Sequence, residues 1–410
     1  MKVGIYIDGL GQSVAEENAI SYATRLTNEL KNHTEGIQFD IKIEKVKYLK
    51  ELESNVISII QKQERKQTVI YKLYEYQYGE QLTKDYNEKN ILYKNYLLFS
   101  IVFKKLPLLI KRIFVPTKGY NFTFQTFYIF SLFFFVALSI LFMIPSTLAV
   151  ISSFEPPKEF ITYIKEHQWL YESAKWIKDH LIVKPETFVS IIAFILLIVP
   201  KANVVIPNLA SEFVSAHLYL QFGQKKQDIL GNIDELFDYI CENETDAEIH
   251  FHTYSFGTLI ALDYVFPYGN EISGNTLNRT KAIITIGCPY DFINSYYPSY
   301  YIDRCSKIES KKIKWINVYS IFDALGSNFR NNPDKGEAEY GVGTNGLHPV
   351  NINYEVANLN QTSFFNFLLL NNLKIHGMYW SNSTEGRSCL NPIFNKMLDL
   401  HLIEIATYEV

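Results

Sequence analysis

The chain has 410 residues, 48% of them apolar and 15% aromatic, enough for a sizeable core in one large domain or two ordinary ones. The formal net charge of −4 removes nucleic acid as a default partner, because no broad basic footprint exists. The four cysteines, Cys241, Cys288, Cys305 and Cys389, show no CxxC and no metal-ligand spacing, so neither a disulfide framework nor a metal site is expected.

Residues 3–7 form a short β-branched and aromatic run that ends in Asp8-Gly9-Leu10-Gly11. A helical pattern follows over 14–31, then an alternating strand over 38–48, a helix over 50–65 and a strand over 68–76. Strands alternating with helices predict a mostly parallel sheet with helices on both faces, an α/β fold. The N-terminal apolar stretch is too short, and too soon broken by Asp8, to be a signal peptide. The catalytic part is therefore expected in the cytoplasm.

Lys104, Lys105, Lys111, Arg112 and Lys118 then gather among apolar residues, as a solvated helix face or as a membrane-surface patch. From Gly119 to Phe154 there is no charged residue. A span needs about 20 apolar residues, and a transmembrane helix is expected near 122–146. A second is expected near 187–206, interrupted by Pro200-Lys201. Between them, Tyr163, Trp169, Tyr171 and Trp176 suit an interfacial belt. The pieces suggest a two-helix hairpin inserted in the α/β domain. Residues 1–100 would be its first part, 101–206 a membrane-associated insertion and 207–410 its second part. The lipid bilayer would be a partner, and the hairpin would offer a surface for self-association.

The rhythm resumes with a helix over 224–241, a strand over 247–253, a helix over 256–266 and strands over 281–287 and 313–320. An apolar stretch over 364–375 runs into His376. The central chemical signal is Thr253-Tyr254-Ser255-Phe256-Gly257, where a strand passes through a small turn into a helix. A serine there sits on a strained elbow, beside the positive end of the helix. The backbone N–H of Phe256 is placed to stabilise an oxyanion. Thr253 stands where the usual G-x-S-x-G pattern has its first glycine. Taken alone, Ser255 reads equally as a helix N-cap.

A nucleophile needs a base and a residue that orients it. Asp323 follows a strand and precedes Gly326, and His376 is followed by Gly377. Asp291, in Cys-Pro-Tyr-Asp, is the rival acid, and His348, in Gly-Leu-His-Pro, the rival base. His250 and His252 alternate onto one strand face. With no third ligand apparent, packing or hydrogen bonding is preferred over a metal site.

The order Ser255, Asp323, His376, with the Gly9–Gly11 loop ahead of it, resembles the α/β-hydrolase superfamily, especially its lipase and esterase branch. The resemblance covers residues 1–80 and about 207–385. It implies Ser255 as nucleophile, His376 as base and Asp323 as orienting acid, with no cofactor or metal. Leu10 and Phe256 would be the oxyanion donors, and Gly9, Gly11 and Gly257 would permit close backbone approach. Where that branch often has His-Gly-x-Gly, this chain has Asp8 for the histidine. The implied activity is hydrolysis of acyl-ester lipids. The alternative is an inactive hydrolase-like module that binds lipid or a partner protein, the Thr253 and Asp8 departures marking lost activity.

Overall fold

The computed structural model describes residues 1–10, 18–63, 66–115, 172, 202–221, 223–268, 273–301, 313–321, 323, 325–332, 335–338, 348–355 and 376–404. The chain divides into two compact units, Met1–Leu82 with Pro107–Ser131 and Leu218–Val410, and Thr83–Leu106 with Leu132–His217. Every described strand lies in the first.

That unit is built on an eight-stranded sheet in the order β10-β7-β6-β5-β1-β4-β3-β2. The strands are β1 (Lys2–Ile7), β2 (Gln38–Lys47), β3 (Glu53–Gln63), β4 (Lys66–Tyr76), β5 (Glu248–Tyr254), β6 (Thr280–Ile286), β7 (Lys314–Tyr319) and β10 (Val350–Asn353). The short β8 (Arg330–Asn332) and β9 (Lys335–Ala338) pair separately. From β10 through β1 to β4 every pairing is parallel. The β4–β3 and β3–β2 pairings are antiparallel.

The expected helix over 50–65 is therefore a strand. Val56, Ile57, Ile59 and Ile60 are β-branched and largely buried, and pairing with β2 and β4 on both sides outweighs any helical spacing. The remaining expected elements of this unit match within a few residues where described.

The order reverses at β1, which has β4 on one side and β5 on the other. Such a switch point opens a crevice at the carboxyl ends of the strands. Helices α1 (Ala19–Asn32) and α9 (Leu390–Asp399) cover one face, packing against Tyr6, Ile57, Ile284 and Val318. The start of α1 is capped by the Asn18 side chain, which accepts from Ser21 N at 2.9 Å. On the opposite face Phe251 of β5 stacks on Phe237 of α5 (Gln224–Asn243), and α6 (Phe256–Val265) packs beside it. Helices α7 (Gly274–Arg279) and α8 (Tyr290–Tyr296) flank β6. Between α5 and α6 a buried ion pair joins Lys226 to Asp263 at 2.7 Å, and the hydroxyls of Tyr219 and Tyr300 also donate to that carboxylate. Removing either charge alone would strand the other in the core.

Helices α2 (Gly79–Asn87), α3 (Ile91–Phe114) and α4 (Ala202–Leu220) contribute residues to the second unit. There Leu98, Ile101, Ala210 and Val214 are buried, and Ser211 Oγ donates to Asn87 at 2.8 Å. His217 is pushed down to about 4 by burial and by the nearby Lys105 and Lys104.

The inserted transmembrane hairpin, and with it a two-span membrane protein, is not supported. Among the described residues no helix is long and apolar enough to cross a membrane. Residues 122–146 and 187–201 lie outside the described set. Residues 202–206 open α4, whose 19 residues include Asn208, Ser211, Glu212, Ser215 and His217. The last five residues of the expected second span thus belong to a helix that runs on past 206 through those polar positions.

Candidate active site

Strand β5 runs directly into α6 through Ser255, whose backbone has φ 51° and ψ −124°. A left-handed φ at a non-glycine residue costs about 1–3 kcal/mol and persists only where the surroundings enforce it. Here Ser255 N–H donates to Ile286 O at 2.9 Å, while Ser255 O accepts from Thr258 N at 3.0 Å and from the Thr258 hydroxyl at 2.6 Å. The serine hydroxyl does not cap α6. It meets His376 Nε2 at 2.6 Å instead. The N-cap reading of Ser255 thus fails on geometry.

His376 Nδ1 lies 2.8 Å from Asp323 Oδ2. A carboxylate accepts, so Nδ1 carries the proton and Nε2 offers its lone pair to the serine. The other oxygen, Asp323 Oδ1, accepts from Leu325 N at 2.9 Å. Tyr379 adds a third donor, its hydroxyl 2.8 Å from Asp323 Oδ2. His376 and Asp323 are buried, whereas Ser255 is half-buried. The array is therefore sealed at its acid end and reachable at its hydroxyl end.

The three residues come from separate places in the chain. Ser255 leaves β5, Asp323 lies four residues beyond β7, and His376 opens a turn whose preceding stretch, 356–375, is outside the described residues. The ring of Tyr254 stacks on His376 with centroids 5.4 Å apart, and its hydroxyl donates to His376 O at 2.6 Å. Arg25 pins the segment just downstream, donating to Ser381 O at 2.7 Å and Ser383 O at 2.8 Å.

Glycines permit the closest approaches. A Cβ on Gly257 would lie 2.4 Å from both Ile7 O and Asp8 O, so the first turn of α6 rests on the backbone leaving β1. A Cβ on Gly9 would come within 3.0 Å of Ser255 Cβ. The loop after β1 thus passes beside the serine, with half-buried Leu10 next in the chain; Gly11 lies outside the described residues. Asp8 accepts from its neighbour Gly9 N at 2.7 Å, and its own carbonyl accepts from Tyr78 OH at 3.0 Å. Asp8 therefore shapes the loop locally. Phe256 is buried between Tyr78 and Tyr219, at centroid distances of 6.2 and 5.3 Å. Its N–H sits at the positive end of α6.

Thr253 fits where a glycine was expected. It is fully buried in β5, and its hydroxyl donates to Ile284 O of β6 at 2.8 Å. The rival residues lie elsewhere. Asp291 opens α8 and bonds the Ser327 hydroxyl, and burial pushes it up to about 7. His348 is exposed, two residues before β10. Tyr254, Tyr379 and Gly287 were missed by sequence reasoning. The spacing of Tyr379, three residues after His376, was visible, but its target was not.

His250 and His252 are fully buried on the α1 side of β5. His252 contacts the hydroxyls of Tyr22 and Tyr71, each at 2.7 Å, and His250 Nδ1 contacts the same Tyr71 hydroxyl at 2.9 Å. Burial pushes His252 down to about 3, and it pushes His250 well below its ordinary range, with the neighbouring His252 and Lys2 adding to the effect. Among the described residues no group of three His, Cys, Asp or Glu side chains is placed to hold a metal. Comparison with protein-family models, curated proteins and solved structures gives no match for the chain.

Proposed function

We propose that the protein is a serine hydrolase of the α/β-hydrolase type that cleaves acyl esters through a covalent acyl-enzyme. The observation that carries this reading is the continuous hydrogen-bonded array from Ser255 Oγ through His376 to Asp323, with Ser255 at φ 51° on a strand-to-helix turn. In the reaction His376 Nε2 takes the hydroxyl proton as Ser255 Oγ attacks the ester carbonyl. Asp323 stabilises the imidazolium and holds its tautomer. Phe256 N–H and Leu10 N–H receive the developing oxyanion, and the imidazolium returns its proton to the leaving alcohol. Water then repeats the sequence on the acyl-enzyme. The natural candidates for substrate are acyl-ester lipids. That assignment follows from the resemblance to lipases and esterases and stands on analogy.

The deciding experiment uses a fluorophosphonate probe on the full-length protein, with p-nitrophenyl esters of increasing acyl length. Labelling and turnover should both be present in the wild type and absent in Ser255→Ala, with the preferred chain length giving the acyl class. A wild type that neither labels nor turns over at any pH would sink the reading and leave the inactive binding module in its place.

A further inference from the structure

We infer that Tyr379 is a positioning residue that sets the basicity of His376 through the carboxylate of Asp323. The inference deepens the hydrolase reading and rests on it.

The direction of the hydrogen bonds is settled by counting protons. The backbone N–H of Ser320 donates to Tyr379 OH at 3.1 Å. That uses a lone pair of the phenol oxygen and leaves the single phenol proton free to point at Asp323 Oδ2, 2.8 Å away. The proton stays on the phenol, because burial and the adjacent Asp323 charge push Tyr379 well above its ordinary range. Asp323 Oδ2 thus receives two donors at equal distance, the Tyr379 hydroxyl and His376 Nδ1–H, both at 2.8 Å. Two donors on one oxygen compete for its charge. What the tyrosine draws off is unavailable to stabilise the imidazolium.

The surroundings keep the competition between those two groups. Asp323 and Tyr379 are buried. A Cβ on Gly326 would lie 2.7 Å from Asp323 Oδ2 and 2.9 Å from Tyr379 OH, so the loop backbone closes directly over their contact. A Cβ on Gly287, which sits at φ 59°, would lie 2.9 Å from His376 Cε1 and 3.0 Å from Tyr379 Cε2. Both glycines leave room for the ring and the carboxylate. The phenol ring is itself held, stacked on Tyr354 just after β10 at a centroid distance of 6.4 Å. The ring of Tyr379 also meets the His376 ring edge-on at a centroid distance of 6.3 Å, a contact that Tyr379→Phe keeps, so what the hydroxyl itself adds reaches His376 through Asp323.

The test is the rate of fluorophosphonate labelling at Ser255, and of p-nitrophenyl butyrate hydrolysis, as a function of pH. Tyr379→Phe deletes one hydroxyl. With the competing donor gone, His376 becomes more basic, and the acid limb of kcat/KM should move up by about half a pH unit. KM should stay unchanged, since the missing contact is to the acid and not to the substrate. Replacing Tyr379 with 3-fluorotyrosine keeps the ring and hydroxyl and strengthens the donor, so the limb should move down. Opposite shifts are what a purely structural tyrosine would not produce. Should the phenylalanine variant fail to fold, the fluorotyrosine protein decides alone. An acid limb at the wild-type position in the folded variants, or shifted the same way in both, overturns this inference and leaves the hydrolase reading standing. A wild type inert at every pH overturns both.

Discussion

Strand β5 carries two kinds of histidine environment within a few residues of one point. At its exit Ser255 meets His376, whose far nitrogen faces a carboxylate. Within the strand, His250 and His252 are hydrogen-bonded to phenol hydroxyls. Both environments are buried and both are hydrogen-bonded, so neither property separates chemistry from packing. The partner does. A carboxylate behind a buried ring supplies a counter-charge for an imidazolium, whereas a phenol supplies none, so burial acts unopposed and pushes His252 down to about 3. A buried histidine is therefore read by what faces its second nitrogen.

The largest expected effect that tests this contrast comes from Asp323→Asn. The amide keeps the shape of the carboxylate but removes the charge and invites the wrong His376 tautomer. The kcat value should fall by about 10³–10⁴, with KM nearly unchanged, in steady-state hydrolysis of a p-nitrophenyl ester. A loss of less than about tenfold would mean that the carboxylate does not serve as the orienting acid, and the contrast drawn here would collapse.

Next in size is the phenol side. Tyr71 bridges the two strand histidines, its hydroxyl reaching His250 Nδ1 at 2.9 Å and His252 Nε2 at 2.7 Å. Tyr71→Phe leaves both buried nitrogens without that partner. At about 1–3 kcal/mol for each stranded polar atom, urea unfolding should show a loss of roughly 2–6 kcal/mol. Ser255 labelling in the folded protein should change by less than about twofold, since no charge has moved. Abolished labelling with unchanged stability would place this cluster in the reaction and not in the core.

Much of the site was legible because its signals are local. A β-branched strand, a small turn and an immediate helix identify Ser255 as a residue at a sheet edge, and Asp323 and His376 each precede a nearby glycine. The sheet was harder. The pattern over 50–65 points to a helix because pattern alone does not report neighbours on both sides, and β2 and β4 are what make Glu53–Gln63 a strand. Strand β10 was invisible because two of its four residues are Asn351 and Asn353, and it is held partly by Asn317 Nδ2 donating to Asn351. Tyr379 was hidden for a different reason. Its partners Ser320 and Asp323 lie 59 and 56 residues away, and only folding brings them within reach. The hairpin expectation shows the converse limit, because an apolar count over 187–206 does not report that residues 202–206 open a helix continuing to Leu220 through polar positions.

The smallest effect concerns acid stability, and it sets the histidine pair against the unused acid. His250 and His252 are held below their ordinary 6.5, so the unfolded chain takes up two protons near pH 6.5 that the folded protein refuses until far lower pH, about 3 for His252. Stability supplied by these two is lost as pH falls below 6.5. Asp291 works in the opposite direction. Its folded value, about 7, lies above its ordinary 3.8, so between those limits the folded state holds a proton that the unfolded state releases. Its contribution is present at low pH and fades as pH rises through 7. From about pH 6.5 down to 4 the folded state thus refuses two protons and retains one, and these groups give a net loss of about 1.4 kcal/mol per pH unit. Asp291→Asn removes the compensating proton while keeping a hydrogen-bonding partner for Ser327. The difference between variant and wild type should then grow by about 1.4 kcal/mol for each unit of acidification, in urea titrations at pH 6.5, 5.5 and 4.5. Taking the difference cancels every other titrating group the two proteins share. A difference that stays flat with pH would show that Asp291 is ionised in the folded protein at those pH values. The buried acid beside the Asp323 loop would then be a charged one, and a second carboxylate would have to enter the account of what faces the site.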